Sequence, residues 1–300
     1  MQTFKATDED NDIRLDRWFK RYQPQYTHSL LQKLLRKKLV RVNGKRAQAS
    51  LRLKIGDEIA IKASSFSPEE QDNNQSAKPK MPFKHNYSLE EMTIFENNDF
   101  IVINKPHGLA SQGGTGVKVS VDDIIQAASE RYKLVHRLDR ETSGVMVIAK
   151  KTSAAATFSK LIQAKQMTKI YWALVKGTPL QQKGIIKNAL MKKGDKHQKM
   201  EIDEEGKKAV TEYTLLEDMA GRFSWLELVP ITGRMHQLRV HCASIGCPII
   251  GDGKYGGAEA QIKGMERKLH LHARRIIIEE LGIDVTAPLP KHMQEYAPDA

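Results

Sequence analysis

The densest cluster of chemistry-bearing side chains is HRLDRETSG, residues 136–144. One carboxylate, Asp139, stands there among His136, Arg137 and Arg140. Cationic neighbours favour the ionised form of a carboxylate, the form that can attack a carbon or take a proton. Ser143-Gly144 allows a tight entry into the apolar run VMVIAK that follows. A surface ion-pair loop would have the same composition, so this segment alone leaves both readings open.

Two other clusters suggest chemistry and do not carry it. Cys242 and Cys247 lie near His236, His241, His270 and His272. Their spacing is not CxxC and there is no second cysteine pair, so the expectation is buried thiols and no metal. The run Gly113, Gly114, Thr115, Gly116 lacks the Gly-Lys-Ser/Thr ending of a phosphate loop. No cofactor is expected.

The elements that must hold these groups can be read from periodicity. TIFENNDFIVINK reads as a hairpin turning at Asn97-Asn98. Residues 120–132 and 152–165 have helical spacing. SGVMVIAK and KIYWALVKG are strand-length apolar runs rich in β-branched and aromatic residues. Trp172 and Trp225, in such runs, are expected to pack in the core. Residues 207–230 read as two strands turning at 219–222, and LHLHARRIIIE as another. Thr232 is expected to cap a helix through MHQLRVHCASIG, stopped by Gly246. Strands and helices do not alternate regularly, so the fold class is α+β around a mainly antiparallel mixed sheet.

The chain has 300 residues and a net charge of +12. Residues 1–65 hold 15 Lys and Arg against 7 Asp and Glu, a surplus of 8 out of the total 12. From Lys33 to Lys54 there is no acidic residue. Such one-sided charge suits a polyanionic partner. Leu15, Trp18 and Phe19 mark one short helix, and Leu30, Leu31, Leu34 and Leu35 a second, with Lys33, Arg36, Lys37 and Lys38 on its other face. VRVNGKRAQ, containing Arg41, turns at Asn43-Gly44 between short strands, and Glu58–Ile61 is a further strand. Residues 66–86 have linker composition. The organisation is therefore 1–65 as a small module, 66–86 as linker and 87–300 as a large domain. No apolar run reaches the roughly 20 residues of a membrane span, and the first residues lack a signal-peptide core. A cytoplasmic protein with no membrane and no obligate protein partner is expected.

The small module resembles the S4 RNA-binding domain, in LVRVNGKRA and KIGDEIAI above all. HRLDRETSGVMVIAK resembles the signature of the RluA-type pseudouridine synthases. VINKPHGLASQGG, KIYWALVKG, ITGRMHQLRVHCASIGCPIIGDGKYGG and LHLHARR resemble the family's other motifs, and they occur in the family's order. Met235 and Cys247 depart from the usual residues, without removing a proposed catalytic group. The layout is similar to the bacterial large-subunit ribosomal RNA branch, RluC and RluD, and the glycine run favours the RluC-like members.

The resemblance implies isomerisation of uridine to pseudouridine without a cofactor, in large-subunit ribosomal RNA. It implies Asp139 as the catalytic carboxylate, Tyr171 as a tyrosine stacked near the target base that assists proton removal, and Arg239 as the partner of the carboxylate. Arg137 would fill the space left by the flipped nucleotide, and Gly113–Gly116 would close over RNA. Lys33, Arg36, Lys37, Lys38 and Arg41 would contact phosphates. A transfer RNA-directed synthase and a non-catalytic RNA-binding or ribosome assembly factor remain as alternatives.

Overall fold

The computed structural model describes residues 2–26, 28–62, 87–114, 116–194 and 199–298. The expected linker, 66–86, lies outside the described residues, as does Thr115 of the glycine run. The chain divides into two compact units, Met1–Phe83 and Lys84–Ala300.

The first unit starts with β1 (Gln2–Lys5), then α1 (Leu15–Tyr22) and α2 (His28–Arg36). After them come β2 (Val40–Val42), β3 (Lys45–Arg46) and β4 (Glu58–Ile61). The strands form an antiparallel sheet in the order β1-β4-β2-β3. Leu15, Trp18 and Phe19 of α1 pack with Leu31, Leu34 and Leu35 of α2 on Val40, Val42, Ile59 and Ile61. Asn43 and Gly44 both have positive φ, 49° and 72°, as a two-residue hairpin turn requires.

The basic face differs from expectation in one respect. Lys33 and Arg36 are exposed on α2, but the helix ends at Arg36. Lys37 and Lys38 lie in the turn that follows, also exposed. Lys38 takes the left-handed conformation, φ 62°, and the Leu39 N–H donates to the Leu34 carbonyl at 2.9 Å. That is a Schellman-type stop with lysine where glycine is usual. Arg41 projects from the exposed side of β2.

The second unit opens with α3 (Leu89–Met92), β5 (Thr93–Glu96), β6 (Phe100–Lys105), α4 (Val121–Ala128) and β7 (Lys133–Leu134). It continues with β8 (Ser143–Ala149), α5 (Thr152–Ala164), β9 (Thr168–Lys176), β10 (Lys183–Lys193) and β11 (Lys199–Ile202). β12 (Lys207–Met219), β13 (Phe223–Pro230), α6 (Gln237–Ser244), β14 (Leu271–Ile278), β15 (Ile283–Thr286) and α7 (Lys291–Gln294) complete it. The main path of the sheet is β11-β10-β12-β13-β9-β14-β8-β6-β5, with β15 on β14 and β7 on β8. Among the described residues β14 and β8 form the one parallel pair between named strands, so the sheet is mixed and mainly antiparallel.

Strand β8 is buried along its whole length because helices cover both faces of the sheet there. Val145 and Val147 pack with Phe158 and Leu161 of α5, while Met146 and Ile148 pack with Ile124 and Ile125 of α4. Gly144 opens the strand with φ 108°. A Cβ there would fall 2.2 Å from the Ala273 carbonyl oxygen, so only glycine lets β8 lie against β14 at this point. Trp225 is fully buried and its Nε1–H donates to the Tyr296 carbonyl; Trp172 packs edge-on against it, ring centroids 5.9 Å apart.

Helical spacing overestimated two helices. α4 stops at Ala128, and the chain has already entered β7 by Lys133. α6 begins at Gln237, not after Thr232. Thr232 caps nothing: its hydroxyl accepts from the Val210 N–H at 2.8 Å and donates to Gln237 Oε1 at 2.8 Å. That bond ties the loop to β12, and the N-cap position falls to His236, whose φ is 52°.

Candidate active site

Asp139 lies on the connection from β7 to β8, with its side chain 27% exposed. Loops on either side fix this connection. Ser111 Oγ donates to the Leu138 carbonyl at 2.7 Å and accepts from the Leu138 N–H at 3.0 Å. The Thr142 N–H donates to the Asp139 carbonyl, and the Gly108 N–H to that of Arg140.

Lys105, at the end of β6, is fully buried beneath these loops. Its Nζ donates to the carbonyls of Pro106, Leu109 and Arg140 at 3.1, 2.8 and 3.2 Å. Burial lowers its pKa to about 7, against the pull of Glu141 and Asp139. The lysine therefore clamps the NKPHG turn to the loop that carries Asp139.

The charges facing Asp139 come from distant sequence, not from its neighbours. Arg239 Nη1 lies 3.7 Å and His236 Nε2 3.6 Å from Asp139 Oδ2. Both belong to the start of α6. The expected local cations are directed elsewhere. His136 stacks on Phe158, centroids 5.7 Å apart, and its Nε2 accepts from the Val147 N–H at 2.8 Å. Burial lowers its pKa to about 3, so this ring is neutral and is no cation beside Asp139. Arg140 donates to the Gly108 carbonyl and pairs with Glu141. Arg137 is exposed.

Arg239 is held by a partner that the motif reading gave no role. Its Nε and Nη2 donate to the two carboxylate oxygens of Asp252 at 2.8 and 2.7 Å. Burial opposes the guanidinium charge, but the bonds to Asp252 and the field of Asp139 outweigh it, so the pKa of Arg239 rises. Asp252 Oδ1 also accepts the N–H groups of Lys254 and Tyr255 at 3.0 and 3.1 Å. At Gly251, φ 80°, a Cβ would fall 1.7 Å from the Lys268 carbonyl oxygen. The GDG turn can therefore place Asp252 here only with glycine before it.

Tyr171 lies on β9, paired with Ala273 of β14 and Leu228 of β13. Tyr171 is partly buried and packs against two apolar clusters, which include Leu138 and Leu238. Burial raises the pKa of its phenol, and the charge of Asp139 raises it further. In the free protein this group is a protonated phenol.

Two further buried histidines make framework contacts. His272 Nδ1 lies 2.9 Å from Ser143 Oγ and joins β14 to the start of β8. His241 Nδ1 lies 2.8 Å from Thr211 Oγ1. Cys242 and Cys247 are free, buried thiols, and burial raises the pKa of both. Among the described residues no group of three His, Cys, Asp or Glu is placed to hold a metal ion. No helix among the described residues is long and apolar enough to cross a membrane.

Lys105, Asp252, Tyr255 and His236 lay inside motifs recognised in the sequence without being given roles. Their signal was present as NKPHG, GDGKYGG and GRMHQ. What sequence does not show is which residue in each string faces Asp139 or holds a group that does.

Comparison with known proteins turns this geometry into an assignment. Residues 99–244 match the RNA pseudouridylate synthase family, and residues 13–59 match the S4 domain. The "Ribosomal large subunit pseudouridine synthase C" of Rickettsia felis is 38% identical over 289 residues, covering 92% of this chain and 93% of the relative. The chain belongs to the RNA pseudouridylate synthase family. It is an enzyme that isomerises uridine to pseudouridine. The synthase is also 30% identical to the mitochondrial "RNA pseudouridine synthase 4" of Arabidopsis thaliana, covering 97% of this chain and 80% of the relative. Among solved structures it is similar to human RNA pseudouridylate synthase domain containing 4, with TM-score 0.58 and 30% identity. That likeness covers 68% of this chain and 90% of the human one.

Proposed function

We propose that this synthase acts on uridines of large-subunit ribosomal RNA in the cytoplasm, with Asp139 as its catalytic carboxylate. The observation that carries the site is the partly exposed Asp139 facing the buried Arg239 and the largely buried His236, both from the start of α6. The observation that carries the substrate is the relative from Rickettsia felis, similar over nearly the whole length of both chains.

The target uridine must leave its stack to reach Asp139, at a cost of a few kcal/mol. Arg137, exposed beside the loop, fills the vacated space with its planar guanidinium. The Tyr171 ring offers a face on which the extruded uracil stacks. The N1–C1′ bond breaks, the uracil turns, and C5 bonds to C1′. A carboxylate at Asp139 can serve this by adding to the ribose or the base, or by taking the C2′ proton. Arg239, oriented by Asp252, balances its charge. The C5 proton must then leave, and N1, freed from the ribose, takes one up, so the isomerisation balances. A protonated phenol accepts it only by passing on its own, and Asp139 is the carboxylate whose field reaches Tyr171. Lys33, Arg36, Lys37, Lys38 and Arg41 supply the S4 domain's phosphate contacts.

Mapping pseudouridines in ribosomal RNA from cells with and without the gene tests the substrate. Loss of discrete sites in large-subunit RNA, restored by the wild-type gene and not by Asp139→Asn, is the expected result. Loss confined to transfer RNA would overturn the ribosomal assignment.

A further inference from the structure

The histidine at the head of α6 has an arrangement that the reaction scheme above does not use. His236 adopts φ 52° and ψ 18°, a left-handed conformation in which a residue other than glycine is strained. Its two ring nitrogens meet different partners. Nδ1 lies 2.7 Å from the Tyr255 hydroxyl, and Nε2 lies 3.6 Å from Asp139 Oδ2. The latter distance is beyond a formed hydrogen bond, as is common for catalytic contacts before substrate closes the site.

The direction of the first bond can be worked out from the tyrosine. The Tyr255 oxygen already accepts the Met200 N–H, 3.0 Å away on β11. Its own proton remains to be donated, and His236 Nδ1 is the acceptor within reach. Arg239 and Lys199 lie over the Tyr255 ring, at 5.2 and 5.7 Å from its centroid. Cations at a phenol's face strengthen it as a donor. If Nδ1 accepts, the proton of a neutral imidazole must sit on Nε2, the nitrogen facing Asp139. The groups around this ring are Asp139, Arg239, Lys254, Asp252 and Tyr255, and burial among them disfavours the imidazolium.

We propose that His236 is a positioning residue for Asp139: the Met200–Tyr255–His236 chain fixes the Nε2–H tautomer, so that a neutral donor orients the carboxylate toward the substrate. The inference rests on Asp139 being the reacting carboxylate, but its tautomer can be read without that assumption. A neutral donor suits the site, because Arg239 already supplies a positive charge next to the same oxygen. A second full cation would hold the carboxylate back from attack or proton transfer. The strained backbone at His236 is consistent with a ring placed for a purpose other than starting a helix.

The experiment uses the full chain with histidine ring nitrogens labelled by 15N, and three variants. In the wild-type protein His236 is expected as the neutral Nε2–H tautomer, with Nδ1 accepting a hydrogen bond. In Tyr255→Phe the ring should lose that single tautomer. Its single-turnover rate should fall about ten- to a hundredfold, the scale of a small misplacement in an active site, with RNA affinity unchanged. His236→Gln keeps an N–H donor of similar reach and His236→Leu does not, while both bear the same backbone strain. The Gln variant should therefore retain measurably more turnover at equal affinity. An Nδ1–H tautomer or an imidazolium in the wild-type protein would overturn the proposal, whatever Asp139 does. So would a Tyr255→Phe rate equal to wild type. Should both His236 variants fail to fold, the tautomer and the Tyr255→Phe rate still decide it.

Discussion

Arg239 binds Asp252 with Nε and Nη2 and leaves Nη1 facing Asp139, 3.7 Å away. One guanidinium thus joins a buried structural carboxylate, 1% exposed, to the carboxylate proposed as catalytic. The sequence reading expected Arg239 to pair with Asp139, and Nη1 does so at 3.7 Å; what it did not show is the bidentate bond to Asp252. A guanidinium locked on one side by two bonds has little freedom left, so its third nitrogen is held toward Asp139.

Asp252→Asn should accordingly damage both stability and chemistry. It leaves Arg239 buried without its counter-charge, and breaking a buried pair costs about 3–5 kcal/mol. Denaturant unfolding should show a loss of that size, and single-turnover rate should fall in whatever fraction folds. An unfolding midpoint equal to wild type would show that the pair contributes nothing to the fold.

Tyr171→Phe keeps the ring between its packing neighbours and removes only the hydroxyl. Affinity for RNA should stay within about twofold, while single-turnover isomerisation falls by about a hundredfold or more, the scale of a lost proton-transfer group. A wild-type rate would leave Tyr171 as a stacking surface alone.

Several histidines should make the fold acid-sensitive. Burial lowers the pKa of His136 to about 3, and of His241, His272 and His292 to about 4. In an unfolded chain each would titrate near 6.5. The unfolded state then binds more protons below that value, so their contribution is fully present above pH 6.5 and is lost as pH falls toward 4. Each adds a slope of up to about 1.4 kcal/mol per pH unit within that window. Unfolding free energy measured from pH 7.5 to 5 should drop well before the carboxylates titrate. A flat profile from 6.5 to 5 would mean that these rings are solvated.

How far the sequence could be read depended on the range of the interaction. The hairpin at Asn97-Asn98, the buried strand β8 and the two leucine-patterned helices were legible because local periodicity fixes them. The surroundings of Asp139 were not. Counting adjacent residues suggested His136 and Arg140 as its cations, yet tertiary structure turns His136 into the α5 interface and brings His236 and Arg239 from about a hundred residues away. The pairing of β1 with β4 spans most of the first unit and leaves no local signal. Thr232 looked like an N-cap because threonine usually caps through its hydroxyl; here that hydroxyl is already bonded to Val210 and Gln237.

The S4 domain's contribution can be read from salt dependence. Neutralising Lys33, Arg36 and Lys38 together, each to Gln, should weaken RNA binding and flatten its salt dependence. Counterion release ties the slope of log affinity against log salt to phosphates contacted, about 0.7 per contact on single strands and about 0.9 on duplex DNA. These side chains are exposed on α2 and the turn after it, so stability should change little. Unchanged affinity and slope across the salt series would remove this surface from RNA docking.

Asp139→Asn tests the central claim most directly. The substitution keeps the size of the side chain and removes the charge and the reactive oxygen. Binding comes mainly from phosphate contacts and should survive. The measurement is single-turnover pseudouridine formation by the purified variant, at saturating protein on ribosomal RNA lacking the modification. No product above background, with wild-type RNA affinity, is the expected result. Measurable turnover by a variant shown free of wild-type enzyme would contradict Asp139 as the catalytic carboxylate.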